Sequence, residues 1–214
     1  MTRAVWRPKA VLQGVQLHWQ GDVALWLLQP AQADDLAVLG VAEREALRAA
    51  MALLRACLQW GPQEGLQRVT ERAAALFAPL HQGATATITL WLDGEGVSAT
   101  HAPYLFCYSM TIAPDEAGTP ALQQESLRRY GKAWLQDEAL LHFPADVQPQ
   151  VVLEKGSELY YDCFLKEGSC RGECGRFDSF WFGRQQSTLY HVPQPRDRYP
   201  TAHAVREFLL SWIG

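Results

Sequence analysis

The chain has 214 residues, of which 48% are hydrophobic and 20% are charged, and its formal net charge is −4. This length suits a single domain, and the composition is that of an ordinary globular protein. The negative charge argues against the strongly basic surface that nucleic-acid-binding proteins use. We therefore expect one globular domain without a nucleic-acid partner.

The sequence carries no obvious targeting signal. The opening MTRAVWRPKAVLQG has no apolar stretch of signal-peptide length, and no apolar run reaches the ~18 residues of a membrane span. The five cysteines are an odd number, and a reducing compartment disfavours structural disulfides. These features predict a cytoplasmic protein with free thiols and no membrane partner.

The first part of the chain predicts a hairpin followed by two helices. Segments 11–19 and 23–28 have strand-like apolar patterns and flank turn-forming residues, which indicates an opening β-hairpin. Apolar residues at helical spacing predict one helix from Ala42 to Trp60 and a second from about Gln63 to His81. Gly61–Pro62 would make these two helices an αα-hairpin.

The middle of the chain predicts two strands and a third helix. The strands fall at 85–90 and within 97–112, where apolar and polar residues alternate. Thr119–Pro120 then offers an N-cap hydroxyl followed by proline at the first helical position. The apolar residues that recur at helical steps after it are Leu127, Tyr130, Trp134 and Leu141.

The last third predicts short strands and a closing helix. The strands are expected at 151–153, 159–165, 177–182 and 189–192. Thr201 would cap the final helix, which has one apolar stripe. The whole order predicts an α+β fold with a largely antiparallel sheet built from hairpins and packed with about four helices. We expect one domain over 1–214, with an internal boundary, if there is one, near 114–119.

The most unusual stretch is a cysteine-bearing loop between aromatic strands, over 158–192. Three cysteines and one histidine are candidate ligands of a structural zinc ion: Cys163, Cys170, Cys174 and His191. Structural zinc sites usually present close C-x2-C pairs, and this chain has none. We therefore expect no metal and no cofactor, and a zinc-bound adaptor stays an alternative.

Enzyme signatures are missing from the sequence. It has no G-x-S-x-G elbow, no phosphate-binding glycine loop, no dinucleotide fingerprint and no H-E-x-x-H motif. Cys107 and Cys174 are the candidate nucleophiles, although neither stands in a recognisable catalytic signature. The alternative function is therefore a small cytosolic enzyme that uses cysteine and histidine in an aromatic cleft.

A binding protein fits these observations better than an enzyme does. The flanks of the cysteine loop combine aromatic residues, the type enriched at interface hot spots, with carboxylates that suit a cationic partner. The predicted partner-binding residues are Tyr160, Tyr161, Glu173, Asp178, Phe180, Trp181 and Tyr190. Because neighbouring strand residues point to opposite faces, Tyr160 and Tyr161 cannot both face the core.

One short motif resembles a known family. Trp60–Gly61–Pro62–Gln63–Glu64, followed by an Ala/Arg-rich helix, is similar to the W-G-P-x-x-S-type opening of immunity protein family 52 of polymorphic toxin systems. In that family the opening follows a strand, whereas here it follows a predicted helix. The resemblance implies a cytoplasmic immunity protein that neutralises a cognate bacterial toxin, such as a nuclease, by direct binding and occlusion. It also implies that no cofactor is needed, while the carboxylates around the cysteine loop predict that the toxin domain is cationic.

Overall fold

The computed structural model describes residues 12–19, 22–26, 41–69, 78–94, 104–131, 137–144, 151–155, 158–167, 176–193 and 199–211. Nine strands lie in these ranges: β1 (Leu12–Trp19), β2 (Asp22–Trp26), β3 (Ala86–Asp93), β4 (Tyr104–Pro114), β5 (Pro120–Gly131), β6 (Asp137–Phe143), β7 (Val151–Lys155), β8 (Glu158–Glu167) and β9 (Arg176–Gly183). The helices are α1 (Val41–Trp60), α2 (Pro62–Arg68) and α3 (Pro200–Ser211), with a short 3-10 helix at Ala78–Gln82.

All nine strands belong to one antiparallel sheet, in the order β2-β1-β3-β4-β5-β6-β8-β7, with β9 paired to β8. Strands β3 to β6 are neighbours both in the chain and in the sheet, as in a meander. The α+β class and the largely antiparallel sheet are therefore confirmed. The described part holds three α-helices rather than about four.

One face of the sheet and the helices share a single hydrophobic core. Ile88 pairs with Met110, and Leu90 pairs with Tyr108, so these four side chains lie on one face of the sheet. They belong to the same buried cluster as Leu54 and Leu58 of α1 and as Val205 and Leu209 of α3. The opposite face is polar in its centre, where the Thr87 and Thr111 hydroxyls lie 2.9 Å apart.

The opening hairpin, the first helix, the strands at 85–90 and 97–112, and the strands at 151–153, 159–165 and 177–182 are confirmed, although their bounds differ by some residues. The closing helix is confirmed as well, but it begins at Pro200. Thr201 therefore lies in the first turn of α3, where it is buried, and does not precede the helix as a cap.

The predicted helix from Thr119–Pro120 to Leu141 is wrong, because this segment forms strands β5 and β6. Proline is acceptable as the first residue of a strand, so Pro120 fits either interpretation. The core-facing positions of β5 include Glu125 and Arg129, which are both buried. These charged residues hide the alternation of apolar and polar residues that would have identified a strand. Trp134 lies outside the described residues.

The second predicted helix is shorter than expected. Helix α2 ends at Arg68, and Val69 already has an extended backbone (φ −72°, ψ 156°), so the continuous helix to His81 is wrong. Gly65 packs closely on α1, where a Cβ atom would lie 2.8 Å from the Cys57 nitrogen. Leu80 is buried, but it belongs to the 3-10 helix.

The strand predicted at 189–192 is also wrong, because Ser187 to His191 form turns. Leu189 and Val192 are buried, which accounts for the apolar pattern of this segment. Neither residue belongs to a strand in the described part of the chain. The N–H of His191 donates to the Ser187 carbonyl at 3.3 Å, as in a turn. The single-domain prediction is not tested by these observations and stays a prediction.

Candidate functional site

A pocket of about 460 Å³ opens between two turns and two strands of the fold. Its wall comes from the β4–β5 turn, from β5, from the beginning of β8, and from the turn that follows β9. The lining residues are Pro114, Asp115, Glu116, Ala117, Gln123, Leu159, Tyr161, Arg184 and Gln185. This volume lies within the ~300–1,000 Å³ of typical small-ligand pockets.

Arg184 is the cation of this pocket. Its guanidinium lies over the Tyr161 ring, 4.5 Å from the ring centroid, and one terminal nitrogen donates to the Gln123 side-chain oxygen. Its Nε is buried and has no hydrogen-bond partner among the described residues. Tyr161 itself is only 8% exposed, so the ring forms a fixed floor beneath the guanidinium. The pocket therefore contains an oriented cation with unused donor capacity.

Carboxylates stand on the rim of the same pocket. Asp115 and Glu116 are exposed in the β4–β5 turn. The Asp115 Oδ1 accepts hydrogen bonds from the N–H groups of Ala117 at 2.9 Å and Thr119 at 2.8 Å, so it holds the turn. The β4–β5 turn is completed by Gly118, whose φ of +78° favours glycine. The pocket consequently has an acidic rim, and Arg184 is the cation in its wall.

The corner between α1 and α2 is fixed against the pocket wall. Gly61 has φ +81°, and a Cβ atom there would lie 2.0 Å from the Gln185 carbonyl oxygen. The Gln63 N–H donates to the Gln185 side-chain oxygen at 3.2 Å, and the Gln185 side-chain nitrogen donates to the Pro120 carbonyl at 2.9 Å. The motif Trp60–Gly61–Pro62 thus touches the pocket wall through its glycine, and only glycine fits there.

Next to this corner is an exposed aromatic residue. Trp60, the last residue of α1, is 42% exposed, and the Arg68 guanidinium lies 4.6 Å from the Trp60 ring centroid. Arg68 also donates to Glu64 at 2.7 Å. Leu159, on the pocket wall, is 41% exposed. We call Trp60, Glu64 and Arg68 the corner surface.

A buried carboxylate holds the second turn of the segment 184–191, just after the turn that carries Arg184. Glu125 Oε1 accepts from the Tyr108 hydroxyl at 2.6 Å, from the Ser187 hydroxyl at 2.8 Å and from the Leu189 N–H at 3.3 Å. Its Oε2 accepts from the N–H and the hydroxyl of Thr188, at 2.6 and 2.7 Å. A carboxylate is the acceptor that suits five donors, so this network binds 187–189 to the sheet.

Burial raises the pKa of the Tyr108 phenol well above its ordinary value, and the neighbouring Glu125 raises it further. Tyr108 therefore stays protonated and donates its hydrogen bond. The Arg184 end of the segment is held separately, because the Leu122 N–H donates to the Arg184 carbonyl at 2.8 Å. Both turns of the segment are thus fixed to β5, and the pocket wall is preorganised.

The residues predicted to bind a partner lie on two faces of the sheet. Tyr161 is buried and lines the pocket, while Phe180 packs edge-on against Tyr199, with ring centroids 6.2 Å apart. Trp181 pairs with Asp162 on the opposite face and is 55% exposed. Tyr160 and Tyr190 are half-buried. Nothing is described of Glu173 or of the Asp178 side chain, so the predicted face stays a prediction.

The zinc prediction is only partly covered by the structure. Cys163 is fully buried in the core, whereas His191 is exposed and its Nδ1 lies 2.9 Å from the Ser187 carbonyl oxygen. In the part of the chain that the structure describes, no group of three or more potential ligands could hold a metal ion. Cys170 and Cys174 lie outside the described residues.

The cysteines with described side chains are unsuited to nucleophilic catalysis. Cys57, Cys107 and Cys163 are buried and form no disulfide. Burial raises the pKa of the Cys57 and Cys163 thiols, which keeps them protonated at neutral pH, and the thiolate is the reactive form. A cysteine enzyme would therefore have to use other thiols, and that alternative stays a prediction.

Sequence reasoning missed the pocket. Arg184 and Gln185 follow an aromatic strand and carry no recognisable motif, and the pattern around Leu159 predicts only a strand. The signal that pointed to this region was the W-G-P corner, because its glycine touches the pocket wall. The remaining wall comes from residues more than 50 positions away in the chain, so no local pattern could have connected them.

None of the helices among the described residues is long and apolar enough to cross a membrane. No family model matches this chain, and no significant match was found among curated proteins or among solved structures.

Proposed function

We propose that this chain is a cytoplasmic immunity protein that binds a cognate bacterial toxin directly and blocks the toxin's active site. The partner would be a cationic toxin domain, and the resemblance of the W-G-P motif implies a nuclease. No cofactor takes part in this mechanism, because neutralisation requires only that the two surfaces fit together.

The observation that carries the proposal is the exposed Trp60 of the corner surface. Tryptophan and arginine are the residue types most enriched at interface hot spots, and Trp60 and Arg68 stack on each other. The Gly61 contact with Gln185 fixes the backbone next to Trp60, so little conformational entropy is lost when a partner binds.

Charge supports a cationic partner. The exposed carboxylates of Asp115 and Glu116 border the pocket beside the corner, and the chain has a net charge of −4. Complementary charge on a rim speeds association and makes it sensitive to salt. The proposed contact therefore combines an aromatic centre with an acidic border, a common arrangement in protein interfaces.

A second surface competes with the corner surface. Trp181 is more exposed than Trp60, and it belongs to the strands that flank the cysteine loop. It lies on the opposite face of the sheet from Tyr161, since the pleat alternates directions. The two tryptophans therefore mark two different faces, and each serves as the matched control of the other.

The test is co-expression of the full chain with the toxin domain encoded beside it, in a toxin-sensitive bacterial host, followed by titration calorimetry of the purified pair. We expect growth rescue and a one-to-one complex. Trp60→Ala should weaken binding about 30-fold, the equivalent of a 2 kcal/mol hot spot. Trp181→Ala should change binding less than about threefold.

Three results would separate the possibilities. If Trp181→Ala weakens binding and Trp60→Ala does not, the partner face is the one predicted around the cysteine loop. If far less than one chain per toxin gives full protection, the enzyme alternative is favoured, because direct occlusion needs stoichiometric amounts. If the purified pair does not bind, or if no toxin is encoded nearby, the proposal is wrong.

A further inference from the structure

We propose that the pocket around Arg184 binds a monocarboxylate with an apolar body, and that the Arg184 guanidinium holds the carboxylate. This inference goes beyond the immunity function and does not depend on it. The shared chemistry is one carboxylate next to an apolar group, supplied either by a free small molecule or by the C-terminal residue of a peptide.

Arg184 has N–H donors that no described residue uses. A guanidinium has five N–H donors in a planar fork that matches a carboxylate. Here one terminal nitrogen donates to Gln123, and the buried Nε has no partner among the described residues. The Nε is enclosed by protein, so a ligand carboxylate in the pocket would instead meet the N–H groups of the terminal nitrogens beyond the one that bonds Gln123.

The Arg184 guanidinium is held in one orientation by its neighbours. The Tyr161 ring fixes the plane of the guanidinium from below, at 4.5 Å, and Gln123 fixes its direction. The backbone of Arg184 is tied to β5 through the Leu122 N–H at 2.8 Å. A cation that is already oriented loses little entropy on binding, so even a small ligand can gain affinity from it.

The other residues that line the pocket are apolar or acidic, and they determine which class of ligand fits. Leu159, Pro114, Ala117 and the Tyr161 ring supply apolar surface. The rim carries two carboxylates, of which Asp115 is engaged in its own turn and Glu116 is exposed. Like charges on the rim disfavour a polyanion such as a polyphosphate. A ligand with a single negative group is repelled less by the rim, and its apolar body matches the apolar wall.

The experiment titrates the full chain with 3-phenylpropionate and with its neutral amide, and separately with an acetylated tripeptide ending in phenylalanine, with a free or an amidated C-terminus. We expect at least one free acid to bind, and its amide to bind about tenfold more weakly or not at all. Binding of phenylpropionate identifies a small-molecule site, and binding of the tripeptide acid alone identifies a site for a chain terminus.

Variants connect the binding to the pocket. Arg184→Lys keeps the charge but loses the planar fork, and we expect about tenfold weaker binding. Arg206→Gln is the control, because Arg206 donates to the Tyr190 carbonyl at 3.0 Å and does not line the pocket. Binding by Arg206→Gln should equal that of the unmodified chain.

A second pair of variants keeps the proposal testable if Arg184 is needed for folding. Leu159 is 41% exposed, so charges are tolerated there. Leu159→Glu places a like charge beside the carboxylate and should weaken binding, whereas Leu159→Lys should preserve or strengthen it. If acid and amide bind equally, if neither acid binds, or if the two Leu159 variants behave alike, the proposal is overturned.

Discussion

Glu125 and Arg184 are two charged side chains at the segment that follows β9, and they differ in how completely their hydrogen bonds are made. Glu125 is fully buried and accepts from five donors, at 2.6–3.3 Å. Arg184 is half-buried, stacks on Tyr161 and leaves its Nε without a partner among the described residues. A satisfied buried charge holds the fold together, whereas an unsatisfied charge at a pocket wall is available for a ligand.

The largest expected effect comes from removing the satisfied charge. Glu125→Ala orphans several buried donors at once, and each unpaired donor costs ~1–3 kcal/mol. We expect the free energy of unfolding to fall by about 4 kcal/mol or more, measured by urea denaturation. Tyr108→Phe, which removes a single donor, should cost only about 1 kcal/mol. A loss below about 1 kcal/mol in Glu125→Ala would show that the network does not hold the turn.

The corner glycine should give the next largest effect. Gly61→Ala forces an alanine to φ +81° and places its Cβ 2.0 Å from the Gln185 carbonyl oxygen. Strain and overpacking together should cost about 3 kcal/mol and shift the pocket wall, measured as a loss of thermal stability. Gly118→Ala is the control, because Gly118 has φ +78° but nothing within 4 Å of the added atom.

The Gly118→Ala change should cost only the backbone strain, about 1–2 kcal/mol. If the two glycine variants lose equal stability, the close approach of Gly61 to Gln185 contributes nothing. In that case the α1–α2 corner would not be fixed to the pocket wall, and the corner surface would not be rigid.

The unsatisfied charge should matter least for stability. Arg184→Gln loses a cation–π contact but also removes an unpaired buried donor, so we expect a change within about 1 kcal/mol. Arg129→Gln gives the contrast, since Arg129 is buried, pairs with Glu138 and lies 4.7 Å from the Tyr104 ring centroid. That variant should lose about 3 kcal/mol, because a charge at Glu138 is left without its partner. Equal losses in chemical denaturation would contradict the distinction between the two arginines.

Strand β5 was not predicted because its core face carries buried charged residues. Its core face carries Glu125, Leu127 and Arg129, so two of three consecutive inward positions are charged. These charges are tolerated because Tyr108, Ser187, Thr188 and Glu138 supply partners from other elements. The local sequence pattern contains no information about those partners. Thr119–Pro120 and the apolar spacing therefore predict a helix.

The candidate site shows the same limit. The W-G-P corner was visible in the sequence because three adjacent residues carry it. The pocket was not visible, since Asp115, Leu159 and Arg184 are brought together only by the pairing of strands. The predicted partner residues were placed by strand alternation, which correctly separated Tyr161 from Tyr160 and Phe180 from Trp181. Alternation alone does not tell which face the helices cover.

The sequence by itself determined the α+β class, helix α1, the closing helix and most of the strands. In these segments the apolar residues follow the period of the element, and that period is a local property. The tertiary structure decided β5, the turn at 187–191 and the pocket. Each of them depends on polar groups whose partners lie on distant elements, and a buried charge is stable only where such partners meet it.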